Sequence, residues 1–110
     1  MVDETFDVKL LDPAQADLEG IARLYLSLVG AASARKITDQ FFDAFDQLAR
    51  FPYSGPQMRD AELRMSGYRF LPVEKYIILY RVIGHTVVVY HIFDGRSDYP
   101  TLFRSEFSPT

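Results

Sequence analysis

The chain has 110 residues, of which 48% are hydrophobic, 15% aromatic and 25% charged, enough for one compact domain and too few for two of ordinary size. It contains no cysteine, which excludes disulfides, zinc ribbons, iron-sulfur clusters and a thiol nucleophile. Net charge is −3, with −4 over residues 1–55 and +1 over residues 56–110, so the basic field that general nucleic-acid binding uses is missing.

The opening residues carry acids where a signal peptide needs positive charge, and no apolar run approaches the roughly 20 residues of a bilayer span. A soluble, cytoplasmic protein with no membrane contact is expected. Phe6, Val8 and Leu10 alternate with Asp7 and Lys9, the period-2 pattern of a half-buried strand. Asp12 then reads as an N-cap, Pro13 as the first helical residue and Gln15 as a capping-box partner.

Leu18, Ile21, Ala22, Tyr25, Leu28 and Val29 fall on one helical stripe, and Gly30 is placed to end the helix. Ser33 reads as the cap of a second helix with the stripe Ala34, Ile37, Phe41, Ala44, Phe45 and Leu48, ended by Pro52. The short connection makes the two helices antiparallel neighbours. Residues 51–67 hold Pro52, Ser54, Gly55, Pro56 and Gly67 without a sustained period and read as one long irregular connection.

Three strands are expected over residues 68–73, 76–83 and 86–93, joined by two-residue turns at Glu74-Lys75 and Gly84-His85. The fold class is α+β, in the order β-α-α-β-β-β, with the helical hairpin packed on one face of a mainly antiparallel sheet. The domain spans 1–110, with 1–4 and 105–110 expected to fray. Alternation puts Tyr76, Ile78, Tyr80 and Val82 on one face, Ile77, Leu79 and Arg81 on the other, and Val87, Val89, His91 and Phe93 together on one side. Both faces are largely apolar. The face without helices is therefore either covered by the tail and long loop or open to a partner.

Phosphate loops, nucleophile elbows and metalloprotease motifs are absent, and no metal or cofactor is expected. His85 reads as a solvated turn residue. His91 is either a general base or a packed histidine. The cluster Asp94-Gly95-Arg96-Ser97-Asp98-Tyr99 is either a functional site or a turn in which Arg96 pairs with an acid. Arg69 and Arg81 either line an anion-binding surface or lay their stems along apolar neighbours.

Five segments, taken in order, resemble the RelE/ParE toxin superfamily over residues 6 to about 103. They are Phe6-Asp7-Val8-Lys9-Leu10, Ala16-Asp17-Leu18-x-x-Ile21-x-x-x-Tyr25, Leu48-Ala49-x-x-Pro52-x-x-Gly55, Tyr68-Arg69-Phe70 with Tyr76 and Tyr80-Arg81-Val82, and Gly95-Arg96-x-Asp98. The resemblance implies the toxin of a type II toxin-antitoxin pair, neutralised by a small antitoxin. ParE-like members act on DNA gyrase, and RelE-like members cut mRNA on the ribosome.

This chain departs from the nuclease pattern. Ile77 stands where those relatives have an arginine, a second basic residue near Leu71 is missing, and Asp94 replaces a histidine, with His91 three residues earlier. The ParE-like reading is therefore preferred, with Arg69, Tyr80, Arg81, Arg96, Asp98 and Tyr99 as candidates for target contact. A RelE-like endoribonuclease would instead use Arg69, Arg81, His91 and Arg96.

Overall fold

The computed structural model describes residues 4–107. The elements run β1 (Asp7–Leu10), α1 (Asp12–Leu28), α2 (Ala31–Arg50), α3 (Ala61–Met65), β2 (Arg69–Val73), β3 (Tyr76–Ile83), β4 (Thr86–Asp94) and α4 (Tyr99–Phe107). The expected helical hairpin and sheet are present, with strand order β1-β4-β3-β2. β2, β3 and β4 form an antiparallel meander, and β1 lies parallel to β4 at the edge. Both expected two-residue turns occur: Val73 pairs with Tyr76, and Ile83 with Thr86. Gly84 takes the positive φ that such turns favour.

The hairpin buries Ala14, Leu18 and Ile21 from α1 and Ile37, Phe41, Ala44, Phe45 and Leu48 from α2 against the sheet. The sheet answers with Tyr76, Ile78, Tyr80, Val87, Val89 and Ile92. Helical periodicity identifies this face correctly as far as Tyr25. Beyond it the hairpin leaves the sheet behind, so Leu28 and Val29 stand in solvent, 74% and 64% exposed, rather than in the core.

The caps also differ from expectation. Leu11, not Asp12, is the N-cap of α1 and makes no side-chain cap bond, while the Gln15 amide side chain donates to Glu19. Gly30, at φ +125°, is the N-cap of α2 in place of Ser33, and its own N–H closes α1 on the Tyr25 carbonyl. One glycine thus serves both helices, because its backbone turns where an L side chain rarely can.

The segment expected to be irregular contains α3, whose cap Asp60 accepts the Leu63 N–H, and a bridge between Gln57 and Arg69. The expected frayed tail is α4 as far as Phe107, while residues 1–3 and 108–110 lie outside the described residues. Together α3 and α4 cover the sheet's second face: Met58, Leu63, Tyr68, Leu79 and Phe103 form a smaller core there, flanked by Phe70, Tyr90, Phe93 and Tyr99.

A bulge in β4 corrects one facing. Leu79 pairs with His91 but Tyr80 pairs with Val89, leaving Tyr90 as an extra residue. The alternation resets there. Val87 and Val89 face the helices, whereas His91 and Phe93 pass to the other face and Ile92 takes their place in the main core.

Candidate functional site

Arg69 opens β2 and reaches back over the loop that leaves α2. Its Nη1 donates to the carbonyls of Gly55 (2.9 Å) and Tyr53 (3.4 Å), and its guanidinium lies 5.1 Å from the centre of the Tyr53 ring. The Gly55 N–H donates to the Tyr80 hydroxyl at 3.0 Å. A Cβ on Gly55 would collide with the Phe70 carbonyl and the Tyr80 hydroxyl, so this close approach requires glycine. Tyr80 is fully buried, which corrects its candidacy for target contact: it staples the Pro52–Gly55 loop to the sheet. Burial pushes its hydroxyl above the usual tyrosine value, against the opposing pull of the Gly55 hydrogen bond and Arg69.

Arg81 projects from β3 into the second face. Its Nε and Nη2 donate to the Tyr90 hydroxyl at 3.1 and 2.7 Å, and Nη1 donates to the Ser66 carbonyl at 3.3 Å. The guanidinium carbon lies 4.9 Å from the Tyr68 ring centre and 5.4 Å from that of Tyr90. This is an arginine packed between aromatic faces, with each of its three nitrogens donating to a neighbour. Burial raises the Tyr68 hydroxyl as well, while Arg81 opposes the rise.

His91 sits where α1, β4 and α4 meet. Its Nδ1 is 2.8 Å from Asp17 Oδ2 and its Nε2 is 2.8 Å from Glu106 Oε2, and only 13% of the side chain is exposed. Asp17 Oδ2 also accepts the Ile92 N–H at 2.9 Å. The reason is geometric: β1 ends at Leu10, opposite Val89, so the rest of β4 is an unpaired edge whose amide Asp17 caps. His85 is held too, stacked on Phe6 at 4.3 Å with Nε2 2.9 Å from the Thr5 carbonyl.

The turn after β4 is the exposed part of the candidate set. Asp94 accepts from the Arg96 N–H (2.9 Å), Nε (3.3 Å) and Nη2 (3.1 Å). These bonds, the side-chain one foremost, hold the Asp94 carboxyl down at about 2. Arg96 is 77% exposed despite the pairing, and Asp98 is exposed beside it. Tyr99 is half-buried, stacked on Phe93 at 5.8 Å.

The candidates therefore divide. Arg69 and Tyr80 belong to one staple, Arg81 to the tyrosine cluster and His91 to a three-element junction, while Arg96 and Asp98 share an exposed turn. Asp17, Glu106 and Tyr53 were not legible as partners of these residues, since Asp17 and His91 lie 74 positions apart. Leu24, Leu26, Leu28 and Val29 add an exposed apolar tip at the end of α1.

The family profile described as ParE toxin of type II toxin-antitoxin system, parDE, matches residues 8–99. The chain belongs to the ParE toxin family. The family match spans β1 to the start of α4, taking in the Tyr80 staple and the exposed turn. Two solved structures share its fold. The chromosomal ParDE toxin-antitoxin system of P. aeruginosa superposes with a TM-score of 0.68 at 22% identity, covering 83% of this chain and 97% of the other. The RelBE2 toxin-antitoxin complex of Mycobacterium tuberculosis gives 0.57 at 22% identity, covering 82% and 91%. No curated protein matches the sequence. This ParE-family toxin has, among its described residues, no helix long and apolar enough to cross a membrane.

Proposed function

We propose that this ParE-family toxin arrests growth by binding a protein target, DNA gyrase, in the cytoplasm, and that a cognate antitoxin neutralises it. The observation that favours binding over RNA cleavage is the state of the four side chains a nuclease would need. Arg69 Nη1 is turned to two backbone carbonyls, Arg81 to Tyr90 and Ser66, Arg96 to Asp94, and both nitrogens of His91 face carboxylates. In-line attack by a ribose hydroxyl needs a base with an available nitrogen and cations converging on the developing charge.

In this reading Arg96 and Asp98, on the exposed turn, and the half-buried Tyr99 that follows them contact the target. Arg69, Tyr80 and Arg81 hold the loop around Gly55 and the tyrosine cluster to the sheet. The uncovered leucines at the tip of α1 offer apolar area to the antitoxin. The test is to express the chain in bacteria alone and with the product of an adjacent small gene, mapping the ends of translated mRNAs. The expected result is arrest with intact messages, relieved by co-expression. Cuts at the ribosomal A site would replace this reading with the endoribonuclease.

A further inference from the structure

His91 touches a carboxylate oxygen at each of its two ring nitrogens, Asp17 on α1 and Glu106 on α4, both at 2.8 Å. A neutral imidazole carries one N–H, so it donates to one carboxylate and turns a lone pair on the other, whose ionised oxygens only accept. Both contacts coexist only when the ring is an imidazolium. We propose that His91 is a proton-dependent clasp for the C-terminal turn of α4, closed when the ring is charged and released when it loses a proton.

The two sides of the clasp differ in strength. Asp17 is fixed to the edge of β4 by the Ile92 N–H and its side chain is 30% exposed, whereas that of Glu106 is 50% exposed in the last turn of α4. A ring that has lost one proton can donate to only one of the two carboxylates, and Asp17 is the one already anchored. Glu106 then faces a lone pair and swings into water. Lys75 and Asp94 line the cleft on the Asp17 side of the junction; around the ring itself α4 brings the edge of Phe103 at 5.9 Å, β4 brings the stacked Phe93 at 4.8 Å, and β3 brings Leu79 as the cross-strand neighbour.

The opening is local. The first turns of α4 stay attached through Phe103 against Tyr68 and Tyr90, Tyr99 on Phe93, and Arg104 near Asp60 (3.7 Å) and Glu62 (3.6 Å). The clasp regulates how firmly α4 covers the second face of the sheet.

The test is NMR on the purified full-length chain, reading the His91 ring-nitrogen shifts together with amide protection factors corrected for intrinsic exchange. Both ring nitrogens should be protonated at the acidic end. As pH rises and one proton leaves, protection over residues 105–106 should fall about 3- to 10-fold, with α1 and α2 unchanged. Glu106→Gln, a surface change, should abolish the response, because an amide can donate to or accept from either ring form. The proposal is overturned if wild-type protection over 105–106 does not change with pH, or if Glu106→Gln shows the same response.

Discussion

Removing one oxygen from the core gives the sharpest test of how the fold is tied together. Tyr80→Phe keeps the ring that fills the centre of the sheet but deletes the hydroxyl that receives the Gly55 N–H. That amide is then buried without an acceptor, because the Phe70 carbonyl and the packed ring leave no room for water beside a glycine that lacks space even for a Cβ. Leaving a buried donor unsatisfied costs about 1–3 kcal/mol. For a domain of this size, 1 kcal/mol shifts the melting midpoint by about 4 °C, so Tm should fall by roughly 4–12 °C. Tyr53→Phe is the control, since that hydroxyl is on an exposed ring and its loss should stay within about 0.5 kcal/mol. Because Arg69 holds the Gly55 carbonyl, Arg69→Met and Tyr80→Phe should be non-additive by more than about 0.5 kcal/mol in a double-mutant cycle. A Tyr80→Phe protein that melts with the wild type, measured by circular dichroism and confirmed in urea, would refute the staple.

Phe41→Ala empties a fully buried site between the hairpin and Tyr76 and should cost about 3–5 kcal/mol in urea unfolding. Burial raises the hydroxyls of Tyr68, Tyr76 and Tyr80, that of Tyr76 to about 12, so the folded chain holds protons that the unfolded chain releases above about pH 10. Stability is therefore intact below pH 10 and declines as pH rises toward 12, which a urea-midpoint series against pH will register. Arg96→Ala breaks an ion pair on an exposed turn and should leave the melting temperature within a few degrees, so any loss of toxicity it causes reports on contact rather than folding.

The sequence was most legible where one period ran against one partner. Ile37 to Leu48 is helical because its stripe has a sheet to cover, and the two hairpin turns followed from turn residues between β-branched runs. It failed where geometry depends on a distant segment. Nothing local at Leu28 tells that the sheet has ended beneath it, and nothing in Thr86–Phe93 marks Tyr90 as the extra residue that sends His91 to the other face. α4 lacked a strong apolar stripe, since a single residue, Phe103, supplies its deepest contact. For the site, Arg96 pairing with an acid was visible as two neighbours in a turn, while the partners of Arg69 and His91 come from loops and helices far along the chain.

The most direct measurement is a gyrase supercoiling assay with the purified toxin, run beside translated mRNA as a cleavage control. The account predicts dose-dependent loss of supercoiling with intact message, and weaker inhibition by Arg96→Ala and Tyr99→Ala proteins that retain the wild-type circular dichroism spectrum. Full supercoiling at excess toxin, with mRNA cut at the ribosomal A site, would contradict it.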